Sequence, residues 1–542
     1  MCNDRSDQHH QPGSFNHLNK IDRRDVVLGG GARLTATALA GVAFPDLANA
    51  QVPKPGAAPT PGFNNKIPDK IMTPDKVETR IGTLNFVDGV PTAETTQKVY
   101  DHLDFLRGIE VFLNLLPAAS LESIRLGHVE MNASKSNQAI IFDQLMDSNP
   151  LFLTGNTDTV YCSVILDLET DGPTVVELPA ESGPGTVNDA FFRFVIDMGP
   201  TGPDKGKGGK YLIVPPGYTG VLPKTGYFVA HSPSYVNWLI LRGFLVDGSP
   251  DAAAKMFRND LKVYPLSRAK NPPKMEFTNR SRVPFNTVHA NDFEFYVELD
   301  HVFQKEPIDL FDPELRGLAA AIGIRKGQKF APDARMKAIL TDAVAVANAT
   351  SRAIAFRSRD PRSPIYPNSQ WRTLFIGGDH RWLDGDGLSG RNQDARTNYF
   401  YMATLNTPAM VASTPGQGSQ YALNYADRSG NPFDGAKNYR LNIPANVPAK
   451  DFWSVVLYDP QTRSELQTSQ PFPSKNNKRD KLMVNADGSV DLYFGPKPPA
   501  GKEANWMQTI PGKGWFVLIR LYGPLEPWFD KTWRPGEFEL VS

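Results

Sequence analysis

Pro150-Leu-Phe-Leu-Thr-Gly-Asn-Thr-Asp-Thr-Val-Tyr-Cys-Ser-Val-Ile-Leu-Asp-Leu168 opens a region that closes with Trp238-Leu-Ile-Leu-Arg242. Between the two lie short runs rich in β-branched and aromatic residues: 160–168, 175–178, 190–198, 211–214, 227–232 and 237–245. Turn signals cut them apart, among them Asp171-Gly172-Pro173, Gly206–Gly209 and Pro215-Pro216-Gly217. Strand-length runs at this spacing, with no helical pattern between them, predict an antiparallel sandwich or jelly roll over residues 150–285.

Upstream, Thr83–Pro91 reads as a hairpin turning at Asp88-Gly89, and Thr92 as the N-cap of a helix that Pro117 ends. A second helix is predicted from Ser120 to about Met131, completing a segment at 67–149. Residues 51–66 are Pro/Gly-rich, as in a tether. In residues 1–50, Arg23-Arg24 precedes a weakly apolar run and an Ala48-Asn49-Ala50 site, the pattern of a twin-arginine-like signal peptide. Export to the periplasm is therefore expected. Downstream, Ala-rich helical stretches and a Pro/Gly-rich loop form a connector at 286–414. The β pattern returns at 420–425, 438–443, 452–458, 489–494 and 514–522, which predicts a second antiparallel β domain at 415–542. The expected class is mainly β with a helical insert (α+β): two jelly-roll-like β-sandwich domains joined by helices.

A chain of 542 residues exceeds one ordinary core. Lys+Arg and Asp+Glu both number 58, so there is no electrostatic reason to bind nucleic acid. The expected leader removes five of each sign and leaves the balance intact. Without Cys2 in that leader, Cys162 stands alone and no internal disulfide is expected. No stretch after the leader reaches the ~18 apolar residues of a membrane span.

Longer patterns carry a family resemblance. In the first β region they are Asn156-Thr-Asp158-Thr159-Val-Tyr161, Leu166-Asp167-Leu168, Arg193-Phe-Val-Ile-Asp197, Gly209-Lys-Tyr211-Leu-Ile-Val-Pro215 and Trp238–Arg242. In the second they are Asp427…Gly430, Asn438-Tyr439, Phe452-Trp453-Ser454-Val-Val-Leu-Tyr458-Asp459, Asp487-Gly488-Ser489, Asn505-Trp506 and Arg520-Leu521-Tyr522-Gly523-Pro524. In these motifs the chain resembles bacterial proteins built from the paired domain-of-unknown-function families 1254 and 1214. The resemblance implies two jelly-roll-like domains joined by helices, and a carbohydrate-directed hydrolase role without a settled substrate. Tyr522-Gly523 departs from the Tyr-Pro or Trp-Pro of the pattern.

Charges planted on apolar strands need partners. Asp158, Tyr161, Arg193, Asp197 and Arg242 are the candidate catalytic residues, with Asp158 the favoured acid/base. Asp158 could pair with Arg193 or Arg242, and Arg193 with Asp197; the blander alternatives are an Asx-turn and internal ion pairs. Asp379-His380-Arg-Trp-Leu-Asp384-Gly-Asp386-Gly387 is dense in metal-ligand types, but it lacks the rest of a calcium loop and a second His for zinc. His128-Val-Glu130 lacks the Cys half of a zinc-deaminase signature. Lys205–Lys210 lacks P-loop spacing, and no G-x-S-x-G elbow occurs. His289 and His301 flank an acidic helix face. Trp453, Trp506, Trp515, Trp528 and Trp533 could stack on sugars or pack a core. The expectation is an exported hydrolase acting on a small polar, carbohydrate-like ligand. The alternative is a non-catalytic periplasmic ligand-binding or assembly protein. Cofactor and metal are unspecified, and homo-oligomerisation is left open.

Overall fold

The computed structural model describes residues 67–541. The expected leader at 1–50 and tether at 51–66 lie outside the described residues. The chain divides into two compact units, one ending at Pro91 and the other starting at Thr92. In the first, Lys76–Thr79, Gly82–Val87 and Val90–Pro91 form an antiparallel meander. Its tight turn is Asp88-Gly89, at φ of 48° and 82°. Two positive φ values are what a type I′ hairpin turn requires.

The second unit begins with the helix Ala93–Glu130, capped by the Thr92 side chain, which accepts from the Thr95 amide at 3.2 Å. Pro117 does not end this helix, as its sequence suggested; it lies inside 38 continuous helical residues. A proline removes the donor for the carbonyl four residues back. That carbonyl, of Leu113, lies 3.5 Å from the hydroxyl of Thr397, on the neighbouring helix Gln393–Met402. The missing bond is thus met by a neighbour, and the helix carries on.

Each β region is a pair of sheets around its own core. The first pairs a six-stranded sheet with a four-stranded one. In order, the six strands are Glu276–Asn279, Gln138–Ile141, Val160–Asp167, Val236–Gly243, Gly185–Asp189 and Phe194–Met198. The four are Phe228–His231, Gly209–Val214, Thr174–Leu178 and Lys262–Pro265. The second region pairs a sheet of Ser419–Asn424, Phe516–Pro524, Ala449–Tyr458 and Ser474–Asn476 with one of Trp506–Gln508, Val490–Gly495, Asn438–Ile443 and Glu539–Val541. The expectation of wholly antiparallel domains needs correction. Phe228–His231, Glu276–Asn279 and Trp506–Gln508 each pair in parallel with their neighbour, and each is an edge strand. With eight α-helices among the described residues the class is α+β.

Strand alternation sends side chains to two different cores. Val160, Cys162, Val164 and Leu166 fill the first sandwich, while Tyr161 and Ile165 turn into a central core. In the second region Ala422, Val455, Leu457 and Val517 point into its sandwich, and Tyr421, Val456, Tyr458 and Leu518 into the central core. The helices Ala93–Glu130, Glu294–Lys305, Ala334–Phe356 and Gln393–Met402 supply the rest of that core, with Phe112 stacked on Phe295 at 4.1 Å. Where two of them cross, a Cβ on Gly108 would stand 2.7 Å from that of Ala343. The two sandwiches and the helices therefore share one buried centre, and that centre holds the site.

Candidate functional site

The stretch before the strand Val160–Asp167 is an Asx-turn. Asn156 Oδ1 accepts from the amides of Asp158, at 2.9 Å, and Thr159, at 3.2 Å. The turn carries Asp158 across to the second domain. Its Oδ2 accepts from Ser454 Oγ at 2.5 Å and from the Tyr522 hydroxyl at 3.2 Å, and its Oδ1 from Asn476 Nδ2 at 2.9 Å. Asp158 is 1% exposed. It pairs with neither Arg193 nor Arg242, contrary to the sequence-based expectation. A buried carboxylate with both oxygens bonded to donors of the second domain holds two domains together and has little room for a substrate.

Arg242 presents the opposite situation. It stands opposite Tyr161 in the antiparallel register, and its guanidinium lies 5.8 Å from the centre of that ring. Among the described residues its guanidinium makes no hydrogen bond or ion pair, while the phenols of Tyr161, Tyr421 and Tyr522 lie close enough to act on its charge. It borders a cleft of about 540 Å³ whose walls come from both domains: Thr159, Lys205 and Arg242 from the first, Lys450, Lys478 and Tyr522 from the second. Asp451 also lines this cleft and answers Lys450 at 3.8 Å. Deeper in, Arg242 joins Tyr161, Trp238, Tyr399, Tyr421 and Arg520 around a further small cavity. Arg520 donates to the carbonyls of Thr154, at 2.5 Å, and Gly155, at 3.1 Å, and to Tyr458 Oη at 2.8 Å, while its Nε has no partner. Arg242 and Arg520 are near enough to oppose each other's charge. Burial raises the Tyr161 phenol, with Arg242 and Arg520 pulling against it, so the ring stays neutral and its oxygen accepts from Asn156 Nδ2.

Asp197 lies on the same sheet face. Its Oδ2 accepts from Thr407 Oγ1 at 2.7 Å; its Oδ1 is buried without a partner. Burial pushes its carboxyl up to about 6. Asp197 and Arg242 both line a cavity of about 30 Å³ beside Ile240, Leu405 and Met410. Arg193 is elsewhere. It precedes the strand Phe194–Met198 and reaches Asp189, not Asp197, at 2.6 Å. The reason is Phe192, at φ 55°, which turns the chain so that Arg193 leaves the strand register.

The remaining sequence candidates have structural partners. Among the described residues no group of three or more His, Cys, Asp or Glu could hold a metal ion. Asp384 accepts from Arg362 at 2.8 Å, and Asp386 sits in a turn at φ 54°. His128 is buried, with Nδ1 on the Ile124 carbonyl and Nε2 on Ser163 Oγ, both at 2.8 Å. Ser163 also accepts from Trp238 Nε1 at 2.8 Å, so this Ser–His pair is saturated and unlike a nucleophile. Cys162 is buried and its thiol is pushed up to about 12 by burial. Trp453, Trp515, Trp528 and Trp533 belong to the core of the second sandwich.

The sequence reading passed over Tyr421, Ser454, Asn476, Arg520 and Tyr522. Ser454, Arg520 and Tyr522 lie within the second domain's family motifs, and Arg520 carries a further signal. Arg520 interrupts Phe516-Val-Leu-Ile, as Arg242 follows Trp238-Leu-Ile-Leu, and the reasoning applied to the first domain fits the second equally well.

Residues 136–265 match the family described as Protein of unknown function (DUF1254), and residues 418–526 that described as Protein of unknown function (DUF1214). No curated protein matches the chain. Among solved structures, the VPA0106 protein from Vibrio parahaemolyticus is similar, at 16% identity and a TM-score of 0.49, over 81% of this chain and 100% of that one. An uncharacterised protein from Burkholderia cenocepacia is similar at 12% identity and a TM-score of 0.36, over 83% and 97%. The chain therefore has a paired architecture, with a region matching DUF1254 ahead of one matching DUF1214.

Proposed function

We propose that the cleft between the two sandwiches binds a small organic anion, gripped by Arg242, in an exported protein built on two jelly-roll-like domains. One observation carries this reading: a permanently charged guanidinium borders a cleft shared by both domains and makes no hydrogen bond or ion pair among the described residues. Its planar fork suits a carboxylate or phosphate. The surroundings agree. Arg520 stands close by, and Lys205, Lys450 and Lys478 line the cleft, with Asp451 the carboxylate facing them. A cleft in which one sign of charge predominates concentrates ions of the other sign. Titration calorimetry at low salt with hexanoate, citrate and phosphate tests this. At least one anion is expected to bind, and Arg242→Gln to weaken it tenfold or more. Binding that is unaltered in that variant would end the proposal.

A hydrolase acting on a polar substrate in the same cleft is the second reading, and Asp197 is what favours it. A carboxyl held near 6 beside a cavity is suited to proton transfer at neutral pH. In this reading Asp197, rather than Asp158, carries the proton. A substrate panel should then give a rate limb near pH 6 that Asp197→Asn abolishes.

A further inference from the structure

A separate hollow shares no lining residue with the Arg242 cleft. It forms where the helix Glu294–Lys305 ends, Pro307 turns the chain and the helix Pro313–Ala321 begins. Its volume is about 430 Å³, within the usual range for a small-molecule site. Phe303, Pro307, Ile308, Phe311, Ala320 and Ile324 make its walls apolar. Phe303 and Phe311 are buried and stack at 4.9 Å, while Ile308 is 57% exposed. The hollow thus joins the surface to the edge of the central core, to which both rings and Ile324 belong.

Cations sit on that apolar surface: Arg316, Arg325 and Lys326 line the same hollow. Lys326 is committed, since its Nζ donates to the carbonyls of Gln304, at 2.8 Å, and Glu306, at 2.7 Å. Neither guanidinium makes a hydrogen bond or ion pair among the described residues, and Arg316 Nε is buried without a partner. The carboxyl on the lining, that of Glu306, accepts from the amides of Tyr235 and Val236. Asp312 caps the helix that carries Arg316, accepting from the Leu315 amide at 2.8 Å. Gly317 follows Arg316 inside that helix, where glycine is a poor choice. A Cβ built on it meets nothing within 4 Å, so the missing side chain leaves room in the lining.

We propose that this hollow is a second binding site, which takes a medium-chain fatty acid with its acyl chain along the apolar walls and its carboxylate on Arg316. Burying methylene groups rewards the chain, and the guanidinium fork matches the head. Arg325 and Lys326 add charge of the sign that attracts it. About 430 Å³ is room for roughly a dozen groups of methylene size, if each takes about the 30 Å³ of a water in the liquid. The ligand differs from the small anion of the Arg242 cleft in needing a tail.

Titration calorimetry of the whole protein with butyrate, octanoate and decanoate tests it. Decanoate is expected to bind at least about tenfold more tightly than butyrate, with octanoate between them, because each buried methylene adds affinity. Arg316→Gln should weaken decanoate about tenfold by removing a charged hydrogen bond. Gly317→Leu, whose side chain fills the hollow, should weaken it at least as much. Arg242→Gln should leave decanoate within about twofold, as expected of a distant site. Should Arg316→Gln not fold, Gly317→Leu carries the test, since its new side chain enters open space; an unchanged melting temperature checks that it folds. Decanoate that binds no more tightly than butyrate, or as tightly in Gly317→Leu as in the unaltered protein, would overturn the site. Loss of decanoate in Arg242→Gln alone would also overturn it, and would assign the acid to the cleft. A dimer in sedimentation that Gly317→Leu splits, with no acid bound, would overturn it in favour of a second copy of the chain.

Discussion

Ser454, Asn476 and Tyr522 all donate to one carboxylate. Deleting it leaves three buried donors on the second domain with nothing to bind. Each unsatisfied group costs about 1–3 kcal/mol, and breaking a buried charged network about 3–5 kcal/mol. Asp158→Ala is therefore expected to lower unfolding stability by about 3 kcal/mol or more, read as a lower midpoint in urea. An unchanged midpoint would mean that this clasp is not closed in solution. The same residue shows how far the sequence could be read. A charge on an apolar strand implied a polar partner, and for Asp158 that implication holds, with the partners lying 296 to 364 positions away in the chain. Nothing local names a partner at that distance. Arg193 was misplaced for a different reason: a single positive φ at Phe192 removes it from the strand whose face it was assigned to.

The helix Glu294–Lys305 is held at both ends by buried carboxyls. Glu298 accepts from the Ala290 amide with both oxygens, at 3.1 and 3.2 Å. Glu306, just past the last turn, accepts from the amides of Tyr235, at 2.6 Å, and Val236, at 2.9 Å. Burial raises the first to about 8 and the second to about 7. The folded state therefore holds protons that the unfolded chain has released above its ordinary carboxyl range. That contribution is fully present below about pH 4.5 and is lost as pH rises through 7 to 8. The buried histidines His128 and His289, lowered to about 4 and about 3 by burial, act the other way and only below about 6.5. The window from pH 6.5 to 8 thus belongs to groups whose folded form holds its proton, Glu298 and Glu306 together with the buried Glu465 and with His301, which Glu122 raises. The melting temperature is expected to fall across it, by on the order of 1–2 kcal/mol in stability, and Glu298→Gln should flatten the slope. A profile as steep in the variant would assign the effect elsewhere. Helices such as this were legible because one face is polar and its period shows. Gly185–Asp189, buried throughout, was not picked out as a strand, because Gly-Thr-Val-Asn-Asp has neither apolar continuity nor alternation.

At the scale of the whole molecule, strands buried on both faces decide the architecture. Phe516–Pro524 is buried at every position, and a continuous apolar run says that both sides are covered without saying by what. One side covers the sandwich core and the other the shared centre with the first domain and the helices. The second domain cut out alone, residues 415–542, would expose the face made by Tyr421, Leu423, Val456, Tyr458, Phe516 and Leu518. Contiguous apolar patches above a few hundred Å² are rare on soluble monomers. Arg520 on that face would also lose the Thr154 and Gly155 carbonyls, which come from the first domain. The isolated piece is therefore expected to aggregate, or to bind a hydrophobic dye without a near-ultraviolet circular dichroism signal, whereas the whole chain from Thr92 on melts in one transition. A soluble, sharply melting 415–542 would show that the two sandwiches are independent. A cleft walled by both domains could then close on a ligand only by bringing them together. If they are one cooperative body, an anion at 100 times its dissociation constant should stabilise that single transition by about 2.7 kcal/mol, with no second, unshifted transition left behind.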